Sequence, residues 1–237
     1  MTNTFEKAKR LHGRGHFIEA QELYAQVIEA NIHDAEALYL LGTLLGQRGN
    51  LERALTFLER AAIENPKNSI YHCNLGVVQH NLKRLEDARI SFLLSINLDQ
   101  RNVDAHYNLA KLYKDLGLVD EAIGSYETVL SFDSNHFDAC INLGNLFVDL
   151  GRFDDAICKF EEANTINPKA NRGLINLGNV HRRVGLASKA KSYYNRALGI
   201  SAHDGLRIKS AFTLPVVYND VTHINETREQ LKKNVIE

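Results

Sequence analysis

The chain has 237 residues, 44% of them hydrophobic and 24% charged, which supplies enough apolar material for a packed core and excludes wholesale disorder. Its 28 Lys and Arg balance 29 Asp and Glu to a formal net charge of -1, so no global field draws it toward nucleic acid or an anionic membrane. Cys73, Cys140 and Cys158 form no CxxC pair, which argues against a disulfide framework or a zinc site.

Taken in chain order, residues 1–34 set a pattern that the rest repeats. A first helix carrying Ala8 and Leu11 ends at Gly15, and a second carries Ala20, Tyr24 and Val27 on one face. Residues 35–68 repeat it with Leu41-Gly42, Gly49, Ala54 and Leu58, and end at Pro66. Residues 69–102 carry Leu75-Gly76, Ala88 and Phe92, and residues 103–136 carry Leu109-Ala110, Gly117, Ala122 and Tyr126. Residues 137–170 carry Leu143-Gly144, Gly151, Ala156 and Phe160, with Pro168 as the stop. Residues 171–204 close the series with Leu177-Gly178, Gly185, Ala190 and Tyr194.

The physical logic of each unit is two helices that approach closely where Cβ atoms are small, with one bulky side chain filling the remaining groove. No Gly/Ser linker interrupts these units, so residues 1–204 read as one continuous array. Residues 205–237 break the pattern at Pro215. They then offer Thr222 as an N-cap and Ile224, Leu231 and Ile236 as a partial apolar stripe, predicting helices that cap the last unit.

A 34-residue period with small residues at these places and an aromatic four residues after the alanine resembles the tetratricopeptide repeat. The resemblance implies an all-α, right-handed superhelical solenoid of six tandem repeats plus C-terminal capping helices. Its first unit, lacking the Leu-Gly pair, is the cap that a one-dimensional stack requires. The family's inner, concave surface is lined by the stripe opposite the packed positions of each first helix.

The sixth residue of successive units on that stripe is Asn74, Asn108, Asn142 and Asn176, while flanking stripe positions vary from unit to unit. Asparagine is a poor helix former without an evident packing role, and its carboxamide can meet both N–H and C=O of a peptide backbone. Lys111, Asn145, Asn179 and Arg172 on the same stripe join these four as candidate peptide-binding residues. Asp115, Asp149, Arg182 and Arg183 are further candidates for selecting side chains.

The repeated Asn-Leu-Gly and Asn-Leu-Ala motifs resemble the repeat region of O-linked N-acetylglucosamine transferases and SPINDLY-type proteins. That resemblance implies that the asparagines hold an acceptor polypeptide for a catalytic domain. The carboxylate clamp of chaperone-binding repeats is not met, because Tyr39, Cys73, Tyr107, Ile141 and Ile175 stand where it needs a cation.

The chain shows no phosphate-binding glycine loop, no GxSxG elbow, no HExxH and no strand–helix alternation of a nucleotide-sugar fold. No catalytic residue, metal or cofactor is expected; His12 and His16, read as i,i+4 on a helix, lack a third ligand. His72, His106 and His181 read as packing residues. The expected function is a non-catalytic scaffold for extended protein or peptide partners, with no nucleic acid or membrane among them. The expected location is the cytoplasm, since the N-terminus lacks a signal-peptide run and no stretch of about 18 apolar residues occurs. Two alternatives stand beside the scaffold: the recognition half of a larger transferase-like enzyme, and a homo-oligomerisation module using Val77, Val148 and Ile141 as exposed apolar contacts.

Overall fold

The computed structural model describes residues 2–201, 207, 209, 210, 213, 224–229 and 231. Among the described residues twelve helices run in sequence to residue 200. They are α1 Thr2–Gly13, α2 Phe17–Ala30, α3 Ala35–Gln47, α4 Leu51–Glu64, α5 Ser69–Asn81, α6 Leu85–Leu98, α7 Val103–Asp115, α8 Val119–Phe132, α9 Phe137–Asp149, α10 Phe153–Ile166, α11 Asn171–Arg183 and α12 Ala187–Ile200. Two helices fall in each 34-residue interval, as the sequence pattern requires. The chain divides into two compact units, Met1–Ser125 and Tyr126–Glu237.

The packing logic read from the sequence holds at each repeat. Ala20, Ala54, Ala88, Ala122, Ala156 and Ala190 are fully buried, as are Tyr24, Leu58, Phe92, Tyr126, Phe160 and Tyr194. The Leu-Gly glycines are small because the ring or leucine opposite leaves no room. A Cβ on Gly76 would sit 2.7 Å from the Phe92 ring, and one on Gly144 would sit 2.5 Å from Phe160.

The turns also repeat. Gly15, Gly49, Gly117, Gly151 and Gly185 have positive φ, and the residue after each donates its N–H five residues back, as in Asn50 to the Leu45 carbonyl at 2.9 Å. The 69–102 repeat makes the same turn with a non-glycine, Lys83, at φ 63°. Its partner bond runs from Arg84 N–H to the Gln79 carbonyl at 2.9 Å. A Cβ in this left-handed region costs roughly 1 kcal/mol that glycine avoids.

In the first unit, Ala20, Tyr24, Leu38, Leu41 and Leu58 belong to a cluster extending from α1 into α5, and Phe92 joins Leu109 and Leu112 in a second. First helices are capped by side chains: Asp34 accepts from the Ala37 N–H at 2.9 Å, and Asn102 from Ala105 at 3.0 Å. In the second unit, Leu174, Ala190, Tyr194 and Ala197 form the core of the last pair. There His136 Nδ1 accepts the cap bond from Ala139 N–H at 3.1 Å.

Two sequence readings change. His12 and His16 do not share a helix: α1 ends at Gly13, Gly15 turns the chain, and His16 precedes α2. Ile141 is buried, not exposed, and Val77 and Val148 are half-buried. Of the three packing histidines, His72 and His181 are buried while His106 is half-buried. Pro215, Thr222 and Ile236 lie outside the described residues; residues 224–229 are helical, with Ile224 exposed.

Candidate functional site

The candidate residues stand on the first helix of each repeat, and their neighbours are set by the adjoining repeat. In the first unit, Asn74 on α5 is half-buried and its Nδ2 donates to the Tyr39 hydroxyl of α3 at 2.7 Å. Tyr39 stacks on Tyr71 with ring centroids 4.5 Å apart. Burial pushes the Tyr39 phenol above its ordinary pKa, against the hydrogen bonds to Thr43 and Asn74, so it stays protonated. Asn108 on α7 donates from Nδ2 to the Asp104 carbonyl at 2.9 Å. The Lys111 ammonium lies 5.6 Å from the centre of the Tyr107 ring, and Asp115 pairs with His80 Nε2 at 2.9 Å.

Next to Asn74 lies a cleft of about 350 Å³ between α3, α4 and α5. Leu51, Leu58, Val77 and Val78 make it apolar, and Thr43, Gln47, Asn74 and Asn81 edge it with hydrogen-bonding groups. Gly46, small among larger residues, is its one trace in the sequence: a Cβ there would lie 3.5 Å from Val78 Cγ2.

In the second unit, Asn176 on α11 donates from Nδ2 to Asn145 Oδ1 on α9 at 3.2 Å, joining two of the predicted residues directly. Asn179 Oδ1 accepts from the Tyr194 hydroxyl at 3.0 Å. Arg172 pairs with Asp138 and lies over the Phe137 ring. Arg183 donates to the Val148 carbonyl at 3.4 Å and lies 5.1 Å from the Phe153 ring centre. Asn142 is half-buried and engaged within the chain.

These contacts correct the reading that the asparagines have no packing role. Asn74 and Asn176 bond to the preceding repeat and so help set its spacing. In Asn74, Asn108 and Asn176 the amide N–H2 end is used inside the protein. Each bond uses one of the two amide N–H groups, so the carbonyl oxygen and the second N–H are the groups left for a ligand.

Catalytic chemistry finds little support. Cys73 is pushed up to about 12 and Cys140 to about 11, in both cases first by burial, so neither is a thiolate nucleophile at neutral pH. Among the described residues no cluster of three or more His, Cys, Asp or Glu is placed to hold a metal ion, and no helix is long and apolar enough to cross a membrane. His12 contacts Tyr24 and Gln47, while His16 contacts Glu19.

Sequence profiles described as Tetratricopeptide repeat match residues 11–83, 70–102, 103–136 and 141–205. Solved structures share the fold at low identity. The structure of MamA protein is 23% identical over 71% of this chain and 92% of that one, with a TM-score of 0.62. YrrB, described as a TPR protein with an unusual peptide-binding site, is 21% identical over 77% and 94%, with a TM-score of 0.61. PilW, described as a widely conserved type IV pilus biogenesis factor, is 14% identical over 84% and 92%, with a TM-score of 0.76. No curated protein matches the chain in sequence. These likenesses concern the repeat fold and do not single out the transferase subgroup.

Proposed function

Because the chain belongs to the tetratricopeptide-repeat family, we propose that it is a non-catalytic scaffold that holds extended polypeptide segments on the asparagine-bearing stripe of its first helices. The observation that carries this reading is the direction of the amides. With one amide N–H of each of Asn74, Asn108 and Asn176 held internally, their carbonyls are left as acceptors for backbone N–H groups of a bound strand. Backbone contacts of this kind are indifferent to side-chain identity.

Selectivity then comes from the surroundings. The cleft beside Asn74 has room for one apolar side chain of the segment, and Lys111 favours a carboxylate near Asn108, whereas Arg172 is already paired with Asp138. At a net ~0.5–1.5 kcal/mol per hydrogen bond, against ~2–5 kcal/mol for ordering a flexible peptide, short segments bind in the micromolar range or weaker. The peptide-binding site in YrrB's description supports the same use of the fold. The transferase reading rests on the Asn-Leu-Gly motifs alone.

The test is capture of clients from native extract by wild type and by Asn108→Ala/Asn142→Ala, at equal helicity by circular dichroism. Clients lost from the variant support the stripe; an unchanged client set moves the working surface elsewhere.

A further inference from the structure

The charge of this nearly neutral protein is unevenly laid out within the second unit. From residue 126 to 162 there are eight carboxylates and two cations, whereas from 163 to 203 there are seven lysines and arginines and no carboxylate. Every even-numbered helix from α2 to α10 has an acidic residue in its first turn, and α11 and α12 have none.

The contrast is sharpest on the outward stripe of α12. Ser188, Lys191, Ser192, Asn195 and Arg196 line an open cleft of about 630 Å³. In α10 the corresponding residues are Asp154, Ile157, Cys158, Glu161 and Glu162, and in α8 they are Asp120, Ile123, Gly124, Glu127 and Thr128. Relative to α10, Asp154 and Glu161 give way to the neutral Ser188 and Asn195, Glu162 to Arg196, and Ile157 to Lys191. The Ser210 hydroxyl donates to Asn195 Oδ1 at 2.6 Å, so the amide oxygen is engaged within the chain and the N–H2 is the donor end of the side chain. Among the described residues, neither Lys191 nor Arg196 has a carboxylate partner; Arg196 lies over the Tyr193 ring.

We propose that this face of α12 is a second binding surface, separate from the asparagine stripe, and that it takes an acidic polypeptide segment. Lys191 and Arg196 pair with its Asp or Glu carboxylates, and Ser188, Ser192 and Asn195 donate to the same oxygens. The missing first-turn acid leaves the positive end of the α12 dipole uncompensated beside Ser188, which adds to the attraction. Length decides the class of anion. A 14-residue helix is about 21 Å long, enough for a short acidic segment. A nucleic acid or a membrane surface extends farther and meets the carboxylate-rich 126–162 region of the same unit.

The test uses the full 237-residue chain and a labelled twelve-residue Glu/Gly peptide, read by fluorescence anisotropy. A labelled single-stranded oligonucleotide of equal length and phosphatidylserine vesicles are run in parallel. Binding of the acidic peptide is expected to weaken about tenfold or more in Lys191→Glu/Arg196→Glu and to fall with added salt. It is expected to be unchanged in Lys67→Glu, which alters an exposed lysine of the first unit, and in Asn108→Ala/Asn142→Ala, so that this surface and the asparagine stripe fail or stand separately. A milder Lys191→Gln/Arg196→Gln variant with wild-type helicity is expected to show an intermediate loss. The proposal is overturned if wild type does not bind the acidic peptide, if both double variants at α12 bind it as wild type does, or if the oligonucleotide or the vesicles bind more tightly.

Discussion

Replacing Gly144 by alanine separates two opposing effects that the repeat has balanced. In an exposed helix interior, Gly→Ala stabilises by about 1 kcal/mol through backbone entropy. At Gly124 nothing lies within 4 Å of a new Cβ, so that gain is expected in full. At Gly144 the new Cβ falls 2.5 Å from Phe160 Cε1, 2.8 Å from Cδ1 and 2.9 Å from Cζ, against a contact distance of about 3.5–4 Å. Phe160 is fully buried, so its ring moves only by displacing neighbours in a close-packed pair. Overpacking of this kind costs ~1–3 kcal/mol. Ala8 and Ala110 occupy the same register position, both fully buried, so the helix pair can adjust and the lower half of that range applies. The expected outcome is that Gly144→Ala is destabilised by up to about 1 kcal/mol, and lies about 1–2 kcal/mol below Gly124→Ala. Urea unfolding followed by circular dichroism measures both midpoints. Equal stabilisation by the two substitutions would refute the steric argument.

Lys83→Gly removes a non-glycine from a left-handed turn and is expected to raise stability by up to about 1 kcal/mol, as an upward shift in the thermal midpoint. Tyr39→Phe removes the acceptor of the Asn74 amide and is expected to maintain or strengthen peptide binding by returning a donor to the stripe, whereas Asn74→Ala weakens it; titration with a captured client peptide distinguishes the two. His181 is held below the usual histidine pKa by burial first and then by Lys189, with Glu161 opposing. The unfolded chain therefore takes up its proton at higher pH than the native protein. Stability from this group is complete above about pH 6.5 and is lost as pH falls through the native pKa; His181→Phe is expected to flatten that part of a stability–pH profile. A thiol titration of the native protein at neutral pH is expected to modify Cys158 well before the buried Cys73 and Cys140.

The repeat was legible because one steric slot recurs. Gly or Ala on the first helix, Ala on the second and a ring or leucine between them are residue choices that the packing dictates, and each leaves its mark on the sequence. The candidate stripe was legible only as a list of positions. Which end of each amide faces outward depends on Tyr39 for Asn74 and on Asn145 for Asn176, partners 35 and 31 residues away that come into reach only when repeats stack. The cleft beside Asn74 needs three helices at once. Lys83 hid for the opposite reason: a turn that glycine marks elsewhere is made there by a residue with no turn signature. Ile141 misled because it lies outside the recurring Gly/Ala and ring positions that mark buried sites in the sequence, yet is buried.

The central claim is recognition of backbone rather than side chains, and the most direct measurement is an N-methyl scan of a client segment once one is captured. Affinity is expected to fall at residues whose N–H groups meet the asparagine carbonyls, while alanine replacement at the same residues leaves it nearly unchanged. Affinity that follows side-chain identity and ignores backbone methylation would contradict it.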